Sequence, residues 1–142
     1  MTGSRRTLWL LWALFLASLA LSLAILRILP SRPHPWHPAQ AAVAGFVMAL
    51  LSLAAGVGTF SLRESWALRD IRAGTLDPCT PVGFARLRRL LLALWTLCLS
   101  IGLLGGVLAY GAALPSAAWP YALASGALLV LHAPRDWLFT VP

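Results

Sequence analysis

The sequence predicts an all-α integral membrane protein with four transmembrane helices arranged as two hairpins. Hydrophobic residues make up 60% of the 142 positions and charged residues only 11%, whereas soluble domains carry about 25% charged residues. The charges are clustered, and the stretches between the clusters are almost wholly apolar. The length fits a single transmembrane domain, with spans at about residues 8–29, 39–60, 90–112 and 117–133.

The first three spans have the length and composition of transmembrane helices. The first contains an uncharged run from Leu8 to Leu26, and a helix of that length covers about 28 Å, close to the ~30 Å hydrocarbon core of a bilayer. A proline-rich segment that contains Pro30 and Pro38 separates it from the second span, which carries no charge. The third span is long enough to cross with some tilt.

The fourth span is the shortest and lies between Pro115 and Pro134. Its 17 residues are at the lower limit for a transmembrane helix. We predict that it crosses the membrane, because its apolar content is too high for a loop. An interfacial or re-entrant segment is the alternative.

Residues 61–89 are predicted to form a helical hairpin that projects from the membrane. The segment after the second span contains neither proline nor glycine until Gly74, which suits a helix C-cap. Thr80 and Pro81 then have the pattern of an N-cap followed by proline at the first helical position. The second helix is therefore predicted to continue past Arg69, and the third to begin near Pro81.

The arginines predict the orientation of the chain. Nine of them lie in the two termini and the central hairpin, and only Arg27 and Arg32 lie on the opposite side. Because basic residues concentrate in cytoplasmic segments, both termini and the hairpin are predicted to be cytoplasmic. Tryptophans near the span ends are typical of aromatic belts; these are Trp9, Trp12, Trp66, Trp95 and Trp137 on the inner side and Trp36 and Trp119 on the outer side. The expected location is a bacterial inner (plasma) membrane, crossed several times.

The two halves share a pattern that indicates a possible parallel internal repeat. Residues 5–12 and 88–95 both begin with Arg-Arg, end with Leu-Trp and open a span. Each second span ends near an arginine followed by an acidic residue, at Arg63 and Arg135. The alternative is that membrane hairpins in general have such residues at their ends, without any duplication.

Small residues four positions apart predict where the helices pack. Gly102 and Gly106 form a GxxxG pair, and pairs with alanine or serine predict packing at Gly45, Gly56 and Gly126. Small residues let two backbones approach closely in a membrane. The contact could lie within the chain or with a partner.

The sequence contains no pattern that predicts catalysis, a cofactor or a metal site. All four acidic residues lie on the predicted cytoplasmic side, so no carboxylate is expected at midplane depth for a proton path. His34 and His37 would make an incomplete metal site, and His132 would need a second axial ligand to bind haem. Serines inside the spans are predicted to bond to carbonyls of their own helices.

We therefore expect a non-catalytic accessory or assembly subunit of a multi-subunit inner-membrane complex, not an enzyme. Membrane lipids and other membrane-protein subunits are the expected partners; nucleic acid is not, because the arginines flank apolar runs, where they meet lipid headgroups. The arginines expected to face lipid or a partner are Arg63, Arg69, Arg72, Arg86, Arg88 and Arg89. The alternative is a small homo-oligomeric transporter or channel.

Overall fold

Helices account for nearly all of the described chain, which confirms the all-α prediction for this part. The computed structural model describes residues 2–29, 35–75, 77 and 80–134, and the side chains of residues 2–4, 66–68, 71 and 72 are outside this description. Within these ranges no β-strand is present. The elements are α1 (Thr2–Ile28), α2 (Pro38–Leu62), a π turn (Arg63–Leu68), α3 (Arg69–Arg72), α4 (Pro81–Gly111), a 3-10 turn (Pro115–Ala118) and α5 (Trp119–Leu131).

Three helical segments are long and apolar enough to cross a membrane. They are Arg5–Ile28, Pro38–Ser65 and Pro81–Gly111, with mean hydropathy between 2.1 and 2.3 in their most apolar windows. Many of their apolar side chains are not covered by the chain itself, which suits helices in contact with lipid. The last apolar segment, Pro115–Leu131, is shorter, so its crossing stays a prediction.

Local sequence sets the boundaries of the helices beyond the second span. The hydroxyl of Thr80 accepts a hydrogen bond from the Gly83 amide at 3.1 Å, and Pro81 is the first residue of α4. At the other boundary Gly74 has a φ of +67°, a left-handed conformation that glycine adopts without steric cost. The predicted helix start and helix stop are both confirmed.

The helix that follows α2 contains a π turn where the sequence predicts uninterrupted α-helix. The amide of Arg69 donates to the Glu64 carbonyl, five residues earlier rather than four. The helical path nevertheless reaches Arg72, as predicted. The α3 segment is tied to α4 by an ion pair of 2.7 Å between Asp70 and Arg86.

Contacts at two depths show that α1 and α4 run parallel. A Cβ placed on Gly102 would lie 2.5 Å from Leu19 of α1, and one on Gly106 would lie 3.3 Å from Leu26. The residue numbers rise together on both helices. The N-terminal ends of α1 and α4 therefore lie at the same end of the bundle.

Helices α2 and α5 also run parallel to each other, and opposite to α1 and α4. Gly56 faces Leu128, and the rings of Phe60 and His132 lie 5.4 Å apart. The indole of Trp12, near the start of α1, donates to the Leu129 carbonyl at the end of α5, so those two helices are antiparallel. Successive long helices thus alternate in direction.

Helix α4 lies at the centre of the bundle. It packs against α1, α2 and α5, and α5 also packs against α1. The two-hairpin arrangement is not confirmed, because α1 and α2 make no extensive contact in the described part of the chain. The first two long helices are instead joined through α4, whose buried side chains include Leu87, Leu91, Leu94, Trp95 and Cys98.

The sequence match between the two halves has the same register as one of the contacts between α1 and α4. The spacing that separates Trp12 from Trp95 also separates Leu19 from Gly102, which are in contact. The contact of Leu26 with Gly106 has a spacing three residues shorter, so matched positions of α1 and α4 lie at similar but not identical depth in the bundle. The parallel internal repeat stays a prediction, because α1 and α2 do not pack against each other as α4 and α5 do in the described part of the chain.

Candidate interaction site at the arginine end of the bundle

Arginines from three helices gather at the end of the bundle where α1 and α4 begin and α2 ends. They are Arg5, Arg6, Arg63, Arg88 and Arg89, and this end is called the arginine end. Leu8, three residues after the first of them, is fully buried in a cluster with Leu87 and Leu91. The first turns of α1 therefore lie beside the turns of α4 that carry arginine.

Two tryptophans, one on α1 and one on α4, form hydrogen bonds with the C-terminal end of α5 near the arginine end. The indole N–H of Trp12 donates to the Leu129 carbonyl at 2.9 Å, and that of Trp95 donates to the His132 carbonyl at 3.0 Å. The last carbonyls of a helix have no partner inside the helix, and a buried unpaired one costs about 1–3 kcal/mol. The two tryptophans remove this cost and fix the end of α5.

Burial separates Trp95 from an aromatic belt. Trp95 is 0% exposed and packs with the ring of Phe15 at a centroid distance of 5.8 Å. The prediction that it marks the membrane surface is therefore wrong. Trp9 is 38% exposed and packs edge-on against Trp12.

His132 completes the cap at the end of α5. Its Nδ1 lies 2.8 Å from the Leu128 carbonyl, and because a carbonyl only accepts, this nitrogen carries the proton. The residue is 3% exposed, and its Nε2 has no hydrogen-bond partner among the described residues. The ring therefore donates a hydrogen bond to a carbonyl in the last turn of α5.

His37 is a cap at the start of α2. Its Nδ1 accepts from the amide of Ala39, and its own amide donates to the side chain of Gln40. This is a capping box in which histidine and glutamine take the usual places of serine and glutamate. The spacing His-x-x-Gln before an apolar run was the sequence signal. His34, with which His37 would make only an incomplete metal site, lies outside the described residues.

The five glycines predicted to pack helices all face other helices of the same chain. Gly102 faces Leu19 and Ser125, Gly106 faces Leu26, Gly45 faces Leu108, Gly56 faces Leu128, and Gly126 faces Leu19. Each neighbour belongs to α1, α4 or α5. At Gly45, Gly56 and Gly126 a Cβ would meet only a leucine methyl group at ordinary contact distance, 3.7–3.9 Å, so close backbone approach at these positions stays a prediction.

The tightest helix contact involves a glycine outside the predicted set. The buried small residues of α4 include Cys98, Gly102, Gly105 and Ala109, and the buried residues opposite them are Ala118 of the 3-10 turn and Ala122, Ser125 and Leu129 of α5. The spacing alternates between four and three, as in coiled-coil seams. Gly105 lies directly against Tyr121, where a Cβ would overlap the tyrosine. A search restricted to small residues four positions apart does not find Gly105.

Ser125 also departs from the prediction for serines inside the spans. Ser18, Ser22 and Ser100 bond to carbonyls of their own helices, as predicted, whereas the buried hydroxyl of Ser52 has no hydrogen-bond partner among the described residues. The hydroxyl of Ser125 instead donates across the interface to the Cys98 carbonyl at 2.6 Å and is fully buried. It is a polar link between α4 and α5.

The six arginines predicted to face lipid or a partner differ in their surroundings. Arg69, Arg86, Arg88 and Arg89 are exposed, and Arg63 is half-buried. Arg86 forms an ion pair with Asp70. The side chain of Arg72 is outside the description. Arg5 and Arg6 of α1, which were not in the predicted set, are exposed at the same end of the bundle.

The described fold and its arginine end define a class: a helical bundle whose three longest helices can cross a membrane. Within the described residues, no group of three His, Cys, Asp or Glu side chains is placed to hold a metal ion. Comparison of the chain with protein-family models, curated proteins and solved structures gives no match.

Proposed function

We propose that this chain is a non-catalytic accessory or assembly subunit of a multi-subunit bacterial inner-membrane complex. In this proposal α1, α2, α4 and α5 all cross the membrane, and the arginine end faces the cytoplasm with both termini. The alternating helix directions support four crossings, because α5 returns from the far end of α4 to the level of Trp12 and Trp95.

The observation that carries the proposal is an uncovered small-residue face on α1. Ala13, Ala17, Ala20 and Ala24 are all exposed and repeat with the four-three spacing that the buried α4–α5 contact uses. The leucines beside them are also uncovered: Leu10, Leu14 and Leu21 are 66%, 60% and 62% exposed. A face of this kind permits close approach of another helix, so it fits a transmembrane helix of a neighbouring subunit.

The arginine-rich hairpin supplies the second contact in this proposal. The π turn, α3 and the first turns of α4 extend beyond the end of α5 and carry the six predicted arginines. Each basic residue near an anionic surface contributes about 1 kcal/mol. The hairpin would therefore hold an acidic partner surface or anionic lipid in a salt-sensitive way.

Affinity purification of a tagged chain from native membranes, followed by mass spectrometry, tests the proposal. Unlike membrane-protein chains are expected to co-purify in a fixed ratio. Replacing Ala17 by Leu should release them, while the same change at Ala54, an exposed alanine on α2, should not. Solute transport or substrate turnover by the purified chain alone in liposomes would contradict the accessory role.

A small homo-oligomeric transporter or channel is the alternative, and it would use the same α1 face between identical copies. Native mass spectrometry in mild detergent distinguishes the two functions. An accessory subunit is expected as one copy bound to unlike chains. A transporter or channel is expected as a ring of identical chains around a polar lumen.

A further inference from the structure

We propose that the exposed face of α1 docks an unlike transmembrane helix that carries an aspartate or glutamate at each of its two ends. The inference rests on the proposed function, which places a partner helix on this face, and it adds the chemistry that selects the partner. The face is called the outer seam of α1, and its members are Arg6, Leu10, Ala13, Ala17, Ala20, Ala24 and Arg27.

The outer seam has the spacing of a helix-docking face along its whole length. Successive members lie alternately four and three residues apart, the repeat that keeps one face of a helix towards a partner, and all of them are exposed. The opposite face of α1 packs inside the bundle, where Leu19 lies against Gly102 and Leu26 against Gly106. Helix α1 therefore has one occupied face and one that the described chain leaves uncovered.

The two arginines place a positive charge at each end of the outer seam. They lie 21 residues apart, which is about 31 Å along a helix and close to the ~30 Å thickness of a hydrocarbon core. Both guanidinium groups therefore reach the headgroup level when α1 crosses the membrane. A carboxylate on a partner helix can meet them there without entering the core, where a charge is costly.

The geometry of the arginines suits binding to carboxylates. A guanidinium group donates two parallel hydrogen bonds to a carboxylate. On a straight helix the members of the outer seam fall within about 100°, with Arg27 at the edge next to α5. There its guanidinium lies over the ring of Trp119, 5.8 Å from the centroid. This contact uses the charge of the group rather than its N–H donors.

A second copy of this chain does not match the charges of the outer seam. Copies inserted in the same direction would pack α1 in parallel, with Arg6 against Arg6 and Arg27 against Arg27, and like charges at such positions disfavour a partner. The segments that connect helices at the Arg27 end, residues 28–37 and 112–118, contain no aspartate or glutamate. No other face of the same chain can therefore supply an acidic residue at that level.

The alanines between the arginines favour a helix over an anionic lipid. Small side chains let two backbones approach closely, whereas a lipid tail is as apolar as leucine and gains nothing from alanine. Lipid phosphates would match Arg6 and Arg27 but not Ala13, Ala17 and Ala20. A helix with acidic ends matches the whole seam.

Affinity purification of tagged charge variants from native membranes tests the proposal. R6E and R27E should each reduce the recovery of the unlike chain about fivefold or more, because an ion pair is replaced by a pair of like charges. The R6K/R27K variant keeps both charges and should recover the partner at close to the native level. Q40E is the control, since it adds a negative charge at the Arg27 end on α2, where glutamate also suits the capping box, and it should change nothing.

A charge swap then tests whether the pairing is direct. Mass spectrometry identifies the recovered chain, whose sequence should contain a transmembrane segment with aspartate or glutamate near both ends. Replacing these two residues by arginine should restore recovery with the R6E/R27E variant. Only a direct contact between the two chains can be rescued in this way.

The outcomes separate this proposal from the proposed function. Native recovery with R6E/R27E, or a recovered chain without the two acidic residues, would overturn the proposal and leave the accessory function standing. Failure of the charge swap would overturn it too and assign the arginines to lipid phosphates. An A17C disulfide between identical chains would show that a second copy occupies the seam. Recovery of no unlike chain at all would contradict the accessory function itself.

Discussion

Single side chains at the interface of α4 and α5 decide how closely these helices approach. Gly105 leaves room for Tyr121, and Ser125 supplies a hydrogen bond of 2.6 Å to the Cys98 carbonyl. Helices in a membrane associate through packing and polar links, since lipid is as apolar as their side chains. The stability of the bundle should therefore be most sensitive at these positions.

Replacing Ser125 by Ala should destabilise the bundle by roughly 0.6–1.7 kcal/mol, the range of interhelical hydrogen bonds in membranes. Reversible unfolding of the purified chain in mixed micelles measures the change. Ser100 is the matched control, because its hydroxyl bonds to Leu97 of its own helix and its replacement by Ala should change little. Equal effects at the two serines would show that the link to Cys98 does not stabilise the interface.

Replacing Gly105 by Ala should cost about 1–3 kcal/mol through overpacking against Tyr121. Gly58 of α2 is the matched control, since a Cβ there would meet nothing within 4 Å. Its replacement by Ala should be neutral or stabilising by up to about 1 kcal/mol, because alanine has the higher helix propensity. The same unfolding assay measures both, and a loss of stability at Gly58 as large as that at Gly105 would contradict this account of the interface.

Among the elements, α5 depends most on its neighbours. It is the shortest apolar segment, with 13 residues in α-helix, and isolated helices of about this length are marginal. Its last turn is held by Trp12 of α1 and Trp95 of α4. The two donors occupy matched positions in the two halves of the chain, so each half contributes one N–H to the same helix end.

Replacing Trp95 by Phe removes the donor and keeps most of the apolar ring. The end of α5 should loosen by about 1 kcal/mol, seen as roughly fivefold faster amide exchange at residues 129–133. Replacing Trp12 by Phe should act similarly. Trp9, whose described contact is edge-on packing with Trp12, is the control, and its replacement by Phe should leave this exchange unchanged. Unchanged exchange in both the Trp12 and Trp95 variants would mean that the indole donors do not hold the helix end.

For the whole molecule, the alternating directions of α1, α2, α4 and α5 lead to a topological prediction. Reporter fusions at Gly74 and at the C-terminus should be cytoplasmic, and a fusion at Pro35 should be external, because most arginines lie at the arginine end. Alkaline phosphatase and green fluorescent protein fusions report opposite sides of the membrane and check each other. An external C-terminus would mean that α5 does not cross.

The sequence by itself determined the long helices, the helix ends at Gly74 and Thr80, and the class of protein, but not the π turn after α2. Long uncharged runs satisfy every backbone hydrogen bond only as helices in a membrane, and Gly74 and Thr80 set helix ends through local backbone geometry and capping. The match between residues 5–12 and 88–95 also predicted that α1 and α4 run in the same direction. These features depend on neighbours along the chain or on composition.

Only the tertiary structure decided which helices touch. Periodicity places residues on a face of a helix but does not name the helix opposite, because every apolar face in a bilayer can meet lipid or protein equally well. Spacing alone therefore could not predict the central position of α4, the contact between Gly105 and Tyr121, or the hydrogen bond from Ser125 to the Cys98 carbonyl. For the same reason the sequence predicted a place at the membrane surface for Trp95, whereas the fold buries it at the end of α5.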